Sequence, residues 1–369
     1  MGLSWVIRIL ILLTPFIYFF TYRVPIQPDE RPFIGEDWID HTLDREFKAF
    51  EQTGITREML ETTWKEGHII RENLKRYQII NSRVYGEESY LKYLLEAMVQ
   101  NYPVPDVDFL YYAGDRLQPS FFKRGRFSHC APIFVSARNR SQQRAIVFCD
   151  SFYDIRDEQD GWKGMVRAVE EHQIPWEERE EKLFWRGAPN DGRYKIDRWK
   201  EFPRGRLVYE SRFLHPALID AAFHQFPVRS DTSPEQFEEA LGPISYVPIA
   251  NQLRYKYQII VDGVTIPFTG SYWKFLSGSL VFKQDSEDLM FFHGALVPWE
   301  HYIPVKNNLS DLSEKIQWAR EHDAEAKEIA TNGRLFAQTH LMPEHLLFYS
   351  YKALVKYASL QRFKPCHDF

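Results

Sequence analysis

The sequence predicts an α/β protein with two domains, and three observations support this fold class. The chain has 369 residues, enough for two domains of about 100–200 residues each. Short apolar stretches alternate with segments of helical spacing along most of the chain, as in parallel sheets covered by helices. The clearest example is segment 255–306, where the apolar runs Tyr257–Val261 and Ser279–Phe282 flank a short helix and predict a βαβ unit.

Composition narrows the classes of function. Aromatic residues make up 16% of the chain, which supplies flat surfaces for stacking on sugars or bases. The net charge of −5 does not favour a nucleic-acid-binding protein. The three cysteines, Cys130, Cys149 and Cys366, form neither a disulfide framework nor a zinc pattern, although a Cys130–Cys149 bridge stays open. P-loop, dinucleotide, hydrolase-elbow and paired-histidine motifs are absent from the sequence, which argues against kinases, dehydrogenases, hydrolases and metalloproteases.

The N-terminal stretch Leu3–Thr21 is almost wholly apolar, broken by Arg8 and Pro15. Its length can just span a bilayer, and no small-residue cleavage pattern follows it. We therefore predict a signal anchor over residues 1–23 and a single-pass, membrane-anchored protein. A cleaved signal peptide and a buried core helix are the alternatives, and the flanking charges leave the orientation in the membrane open.

Residues 24–180 are predicted to form the first α/β domain. Residues 24–55 are rich in proline and acidic residues, which indicates a linker followed by a surface helix. The segment Ile55–Lys75 has helical spacing, and Thr56 is placed to cap it. The further predicted elements of this domain are a strand at 76–85, a helix at 87–102, strands at 107–113, 132–136 and 144–149, and a charged crossing helix within 154–182.

Residues 181–345 are predicted to form the second α/β domain. It begins with a strand at 182–186 and contains the βαβ unit. A helix is predicted at 309–330, with Asp311 and Glu314 at capping-box spacing. A last helix is predicted at 342–360. Residues 346–369, which include most of this helix, are expected to pack back on the first domain by analogy with other two-domain transferases.

Asp115 is the first candidate catalytic residue. It follows Gly114 at the end of the apolar strand 107–113, so its carboxylate is expected at the edge where parallel sheets bind ligands. A carboxylate there can deprotonate a hydroxyl as it attacks a sugar carbon. An aspartate in an ordinary turn is the alternative.

Asp106 and Asp108 form a D-x-D pair that could hold a divalent metal through hard oxygen ligands. The pair precedes the strand 107–113 instead of following it, which places it at the opposite edge from the expected site. We therefore interpret it as a solvated strand entry and predict no metal, with a metal-dependent site as the alternative.

Two segments of the second domain have chemistry suited to a phosphate. Arg186 leaves a strand beside Gly187, so a guanidinium able to form paired hydrogen bonds stands next to a backbone that permits close approach. Gly270 and Ser271 are predicted to start a helix whose N–H groups face an anion, with Lys274 adding positive charge. A surface arginine and an ordinary amphipathic helix are the alternatives.

The βαβ unit contributes two further candidates. Asp262 follows its first strand and Lys283 ends its second strand. Because the carboxyl ends of parallel strands share one edge, both side chains are expected at the same ligand-binding crevice. The segment is therefore interpreted as half of a nucleotide-binding site.

The same segment resembles a known family. The pattern YKYQ…DG…GSLVFKQDS…FF…L.PW.HYIPVK…LSDL.EKI.WA is similar to the signature of family-90 glycosyltransferases, which include animal protein O-glucosyltransferases and fungal capsule xylosyltransferases. The resemblance is strongest over residues 255–360 and continues weakly back to Asp106. It implies the GT-B arrangement, in which two Rossmann-like domains face each other across a cleft. It also implies inverting, metal-independent transfer of glucose or xylose from a UDP-sugar to a hydroxyl of a glycan, lipopolysaccharide or protein acceptor.

The resemblance also assigns roles to residues. DFLYYAGD is similar to the family's general-base site, so Asp115 becomes the expected base, and the WRG element places Arg186 on the donor. The residues expected to bind the donor are Arg186, Gly187, Ser136, Asp262, Gly270, Ser271, Lys274 and Lys283. The residues expected on the acceptor side are Asp150 and Phe152.

The chain departs from the family pattern near Gly270, where animal relatives carry an arginine. Either Lys274, Arg186 or the helix end compensates, or donor binding differs. A non-catalytic sugar- or protein-binding relative is therefore one alternative, and a metal-dependent transferase using Asp106 and Asp108 is another. The expected partners are a UDP-sugar, a glycan, lipid-linked glycan or protein acceptor and a membrane, with no cofactor, no metal and no nucleic acid.

Overall fold

The computed structural model describes residues 38–67, 73–117, 130–148, 161–227 and 233–366. Its strands are β1 (Leu74–Ile80), β2 (Arg83–Gly86), β3 (Val107–Tyr112), β4 (Ile133–Val135), β5 (Arg138–Asn139), β6 (Ala145–Val147), β7 (Glu180–Gly187), β8 (Ile219–Phe223), β9 (Tyr255–Ile260), β10 (Leu280–Gln284), β11 (Asp288–Leu289) and β12 (Ile303–Val305). Its α-helices are α1 (Trp38–Phe47), α2 (Arg57–Glu66), α3 (Tyr90–Asn101), α4 (Trp162–Glu171), α5 (Pro203–Tyr209), α6 (Pro234–Leu241), α7 (Ile249–Gln252), α8 (Phe268–Leu276), α9 (Leu312–Glu321), α10 (Asp323–His340) and α11 (Pro343–Leu360).

The first sheet has the strand order β2-β1-β3-β4-β6. Strands β3, β4 and β6 run parallel, whereas β1 runs antiparallel to both β2 and β3. The predicted single strand at 76–85 is in fact a hairpin, because Asn81 and Ser82 adopt φ values of 51° and 61° and turn the chain between β1 and β2. Asparagine tolerates this left-handed conformation better than most residues, which favours the two-residue turn.

The second sheet has the order β12-β10-β9-β7-β8, and every pairing in it is parallel. The predicted βαβ unit is confirmed as β9, α8 and β10. All residues of β9 and β10 are buried, as expected of strands in the interior of a sheet that is covered on both faces. The α/β class with parallel sheets is therefore confirmed.

Helix α11 packs on the first sheet. The Tyr357 hydroxyl donates a hydrogen bond of 2.9 Å to the main-chain oxygen of Asp108 in β3. Tyr349 of the same helix stacks on Trp38 of α1, with ring centroids 6.0 Å apart. The C-terminal helix α11 therefore packs against α1, the first described helix. The predicted division into domains stays a prediction.

Two element boundaries and one helix cap differ from expectation. Thr56 caps α2 as predicted by accepting a hydrogen bond from the Met59 amide, but α2 ends at Glu66 and Leu74 already belongs to β1. The predicted helix 309–330 is two helices, α9 and α10, which meet at His322. The predicted capping box is wrong, because Asp311 accepts from the Lys306 amide and pairs with Lys315 instead of capping α9.

The predicted single-pass membrane localisation needs correction. Across the five described ranges, no helix combines the length and apolarity that crossing a bilayer requires. The stretch 1–23, on which the anchor prediction rests, lies outside those ranges.

Cys130 is a free, buried thiol whose pKa is raised to about 12 by burial, and Cys149 lies outside the described residues.

Candidate functional site

Arg204, near the start of α5, organises the carboxyl edge of the second sheet. Its guanidinium donates to the main-chain oxygens of Ala188 (2.8 Å), Val261 (3.0 Å) and Asp262 (3.0 Å), and to Oδ1 of Asn190 (2.6 Å). These acceptors lie on the loops that follow β7 and β9. One buried arginine therefore holds together the two loops from which a ligand at this edge would be bound.

Asp191 completes this arrangement from the loop after β7. Its Oδ2 accepts from the Arg204 amide at 2.9 Å, and its Oδ1 accepts from the Tyr194 hydroxyl at 2.6 Å. Burial raises the pKa of the Asp191 carboxyl, which these hydrogen bonds and the Arg204 charge oppose. Gly263 permits the close approach of the loops, because a Cβ there would lie 2.3 Å from Asn190 Oδ1.

Sequence reasoning missed Arg204. The residue belongs to no recognised motif, and its acceptors come from positions 16 and 58 residues away along the chain. The only local signal is Pro203 at the first position of a helix, which marks a helix start and says nothing about an adjacent arginine. Its role follows from the tertiary placement of two loops.

We expect Arg204→Lys to lower the free energy of unfolding by about 2 kcal/mol, because lysine cannot reach this set of acceptors with one planar group. Arg206→Lys is the matched control, since Arg206 lies on the same helix and pairs with Glu210 at 2.9 Å from a half-exposed position. Urea unfolding of the full chain measures both. A loss in Arg204→Lys no larger than in Arg206→Lys would contradict this role.

Lys274 lies in α8 and is buried, with 5% of its surface exposed. Its Nζ donates to the main-chain oxygen of Gly270 at 3.0 Å and lies 4.5 Å from the centroid of the Trp273 ring. Burial lowers the pKa of Lys274 to about 7, and the nearby Arg204 charge adds to this effect. Lys274 and Arg204 thus place two buried basic groups at the carboxyl edge of the sheet.

Gly270 and Ser271 do not start the helix, contrary to expectation. Helix α8 begins at Phe268 after Pro267, so both residues lie within its first turn. The Ser271 hydroxyl donates to the main-chain oxygen of Pro267 and is therefore already engaged. A Cβ on Gly270 would lie 3.6 Å from Lys274 Nζ, which places the lysine charge beside the position where the family pattern has an arginine.

Asp262 and Lys283 share the carboxyl edge, as predicted. Lys283 is buried and Asp262 is half-buried, and among the described residues no hydrogen-bond donor contacts the buried Oδ1 of Asp262. Burial raises the pKa of the Asp262 carboxyl and lowers that of the Lys283 ammonium, and each charge opposes the shift of the other. His224, which follows β8 at this edge, has its pKa lowered by burial and by Arg204.

Arg186 is placed differently from the expected diphosphate ligand. Its guanidinium pairs with Asp220 Oδ1 at 2.8 Å and lies 4.3 Å from the centroid of the Phe184 ring. Asp220 and Phe184 both lie before the ends of their strands, so the Arg186 side chain points back over the sheet. Gly187 packs closely, because a Cβ there would lie 2.2 Å from the Trp185 ring. A donor role for Arg186 stays a prediction.

Asp115 lies just beyond the carboxyl end of β3 and is exposed. Its neighbour Arg116 binds Asp288 of β11 at 2.7 and 2.6 Å, and Asn139 of β5 binds the same carboxylate at 3.2 Å. Strand β11 follows β10 of the second sheet and pairs with β5 from the first half of the chain. The structure thus ties the loop of the expected base to the segment that leaves the carboxyl edge of the second sheet.

The remaining predicted residues divide into two groups. Ser136 follows β4 and is buried, with its hydroxyl 2.8 Å from the Tyr111 hydroxyl, so it serves the core in this structure. Asp150 and Phe152, predicted on the acceptor side, lie outside the described residues.

Asp106 and Asp108 do not form the alternative metal site. Asp108 is fully buried and accepts two hydrogen bonds from Arg76, at 2.8 and 2.7 Å, and one from Gln78 at 2.7 Å. Asp106 accepts from the Asn81 amide at 2.7 Å, at the opposite end of β3 from Asp115. Both carboxylates accept hydrogen bonds from residues of the first sheet or its hairpin turn. The two ligands that a metal-dependent transferase would use are therefore already engaged.

An all-parallel sheet with buried charged groups at its carboxyl edge is typical of Rossmann-like domains, which bind ligands at that edge. The chain matches the model of Glycosyl transferase family 90 over residues 38–368, and it belongs to that family.

Relatives of known name agree with this assignment. The chain is 35% identical over 308 residues to Protein O-glucosyltransferase 2 of Danio rerio, covering 79% of this chain and 57% of the relative. It is 30% identical over 333 residues to Protein O-glucosyltransferase 3 of Homo sapiens, covering 88% of this chain and 62% of the relative. O-glucosyltransferase rumi of Drosophila pseudoobscura pseudoobscura is 26% identical over 337 residues, covering 86% of this chain and 76% of the relative. The chain therefore spans about three fifths of the length of the first two of these relatives.

Proposed function

We propose that this chain is an inverting glycosyltransferase of the GT-B arrangement that moves glucose from UDP-glucose to a hydroxyl of a protein acceptor. The observation that carries the proposal is the pair of buried basic side chains, Arg204 and Lys274, at the carboxyl edge of an all-parallel sheet. Positive charge at that edge suits the diphosphate of a nucleotide donor. Glucose and a protein acceptor are proposed from the names of the relatives.

Asp115 is proposed as the general base. Its carboxylate is exposed at the end of β3 and takes the proton of the acceptor hydroxyl. The hydroxyl oxygen forms a bond to C1 of the sugar while the bond from C1 to the diphosphate oxygen breaks. The electron pair of the broken bond stays on the departing UDP, and attack from the opposite face inverts C1. The chain's own carboxylate holds the proton at the end of this step.

The departing diphosphate gains negative charge, and cationic side chains fixed in advance stabilise it without reorganisation. Arg204 is held in place by its hydrogen bonds to the loops after β7 and β9. Lys274 supplies charge beside Gly270, which supports the catalytic proposal over a non-catalytic relative. No metal is invoked for this step. Xylose as the donor sugar and a glycan or lipopolysaccharide acceptor are retained as variants of the proposal.

The test is release of UDP by the full chain from a panel of UDP-sugars, with and without EDTA and with folded proteins bearing exposed serines as acceptors. We expect faster UDP release from UDP-glucose than from other donors, unchanged by EDTA, with a product of opposite anomeric configuration by NMR. A faster reaction with UDP-xylose would change the donor only. Absence of UDP-glucose binding by calorimetry would refute the proposal, and loss of activity in EDTA would refute its metal-independent form.

A further inference from the structure

Lys274 is a buried base without a counter-ion in the described structure. Its Nζ has a neutral main-chain oxygen, that of Gly270, as its hydrogen-bond acceptor, and an aromatic face beside it at Trp273. Among the described residues, no carboxylate lies within ion-pair distance of it. A charged ammonium in such a place is disfavoured by desolvation, and the neutral amine is favoured.

The neighbours of α8 do not supply the missing negative charge. Helix α8 packs against α4, α10, β9 and β10. Glu170 of α4 pairs with Arg334 of α10, Lys256 of β9 pairs with Glu181 and Asp323, and Lys283 of β10 interacts with Asp262. No carboxylate among the described residues contributes to the pKa shift of Lys274. The charge that acts on Lys274 is that of Arg204, and it has the same sign.

Two buried basic groups whose positive charges repel each other favour an anion near both of them. The first turn of α8 adds to this preference, since the helix dipole is positive there and Pro267 provides no side-chain cap. A diphosphate at this position would balance the positive charge of Arg204 and provide hydrogen-bond acceptors for the Lys274 ammonium. It would therefore shift the protonation equilibrium of Lys274 from the amine to the ammonium.

We propose that binding of the nucleotide-sugar diphosphate is coupled to uptake of one proton from solvent by Lys274, so that the second cation of the site forms only when the donor is present. This inference rests on the proposed function. The proton taken up adds to the Lys274 amine, whose lone pair forms the new N–H bond, and it returns to solvent when the nucleotide leaves.

The expected pH dependence follows from linkage. In the free protein the pKa of Lys274 is lowered to about 7 by burial and by Arg204, and an anion raises it. Donor affinity is therefore constant below about pH 7, where Lys274 is already charged, and falls above that pH. The dissociation constant should increase up to about tenfold per pH unit until the pKa of the complex is reached.

The test is titration calorimetry of UDP-glucose into the full chain at pH 8, in buffers of different ionisation enthalpy. UDP-glucose is chosen because its diphosphate diester does not titrate near neutral pH. The slope of the measured enthalpy against buffer ionisation enthalpy gives the number of protons taken up, and we expect close to one. Lys274→Arg should keep binding, take up no proton and lose the pH dependence, because arginine stays charged. Lys274→Met should take up no proton and bind more weakly at pH 7.

Two comparison variants identify the proton acceptor. Lys283→Arg removes the other buried lysine at this edge, and His224→Gln removes the titratable group next to Arg204. Uptake of one proton should persist in both. Uptake that persists in Lys274→Arg but vanishes in either comparison variant overturns the inference. Binding of UDP-glucose without proton uptake overturns it while leaving the proposed function intact, whereas absence of binding in the unaltered chain refutes the proposed function itself.

Discussion

Replacing Asp115 by asparagine is expected to reduce sugar transfer about 10²–10⁴-fold while leaving the dissociation constant for UDP-glucose nearly unchanged. The amide has the size and shape of the carboxylate but does not accept the proton of the acceptor hydroxyl. Because Asp115 is exposed, the substitution leaves no buried group without a partner and the fold should persist. Single-turnover transfer and calorimetry on the same preparation separate the chemical step from donor binding.

The control for this variant is Asp106→Asn. Asp106 lies at the other end of β3, where it accepts a hydrogen bond from the Asn81 amide. Transfer by Asp106→Asn should stay within about twofold of the unaltered chain, because surface substitutions away from a site have small effects. Equal loss in the two variants, or an active Asp115→Asn, would remove Asp115 from its proposed role.

Replacing Asp108 by alanine is expected to lower the free energy of unfolding by about 3–5 kcal/mol, because it leaves the Arg76 guanidinium without its buried counter-ion. Asp108 is fully buried and binds Arg76 and Gln78 through its two carboxylate oxygens. Glu61, the other carboxylate near Arg76 at 2.9 Å, is partly exposed and compensates only in part. Urea unfolding monitored by tryptophan fluorescence measures the change.

Two further variants serve as controls for the loss of stability in Asp108→Ala. Glu87→Ala breaks an exposed pair with Lys75 in the same strand as Arg76, and it should cost less than about 1 kcal/mol. The double variant Arg76→Met/Asp108→Leu removes both charges, and we expect it to be clearly more stable than Asp108→Ala. If Asp108→Ala is no less stable than Glu87→Ala, the buried pair does not have the structural role assigned to it.

Local patterns sufficed for the elements that depend on local chemistry. The apolar runs around Tyr257 and Phe282 predicted two adjacent buried strands, because a strand interior to a parallel sheet must be apolar on both faces. Thr56 was predictable as a cap because a hydroxyl at that position satisfies an amide within the same turn. Asp262 and Lys283 could be placed at one edge, because Asp262 follows β9 and Lys283 lies near the end of the neighbouring parallel strand β10.

The direction of long side chains was not predictable in the same way. Arg186 ends a strand, which suggested a group aimed at a diphosphate, yet its guanidinium reaches back to Asp220 on the neighbouring strand. The rotamer of an arginine depends on which acceptors the tertiary structure brings within reach, and sequence spacing does not contain that information. The same reason explains why the D-x-D pair was interpreted as a solvated strand entry, although Asp108 is fully buried and bound by Arg76.

The sequence by itself determined the α/β class, the βαβ unit, the family and the position of Asp115 at the end of a strand. Each of these depends on periodicity or on an ordered motif within one short segment. Only the tertiary structure decided that Arg204 holds the edge of the second sheet, that Lys274 lies buried beside it, and that Arg116 joins Asp288 across the two halves of the chain. Their burial and partners arise when loops distant in sequence come together, since desolvation and charge act through space and not along the chain.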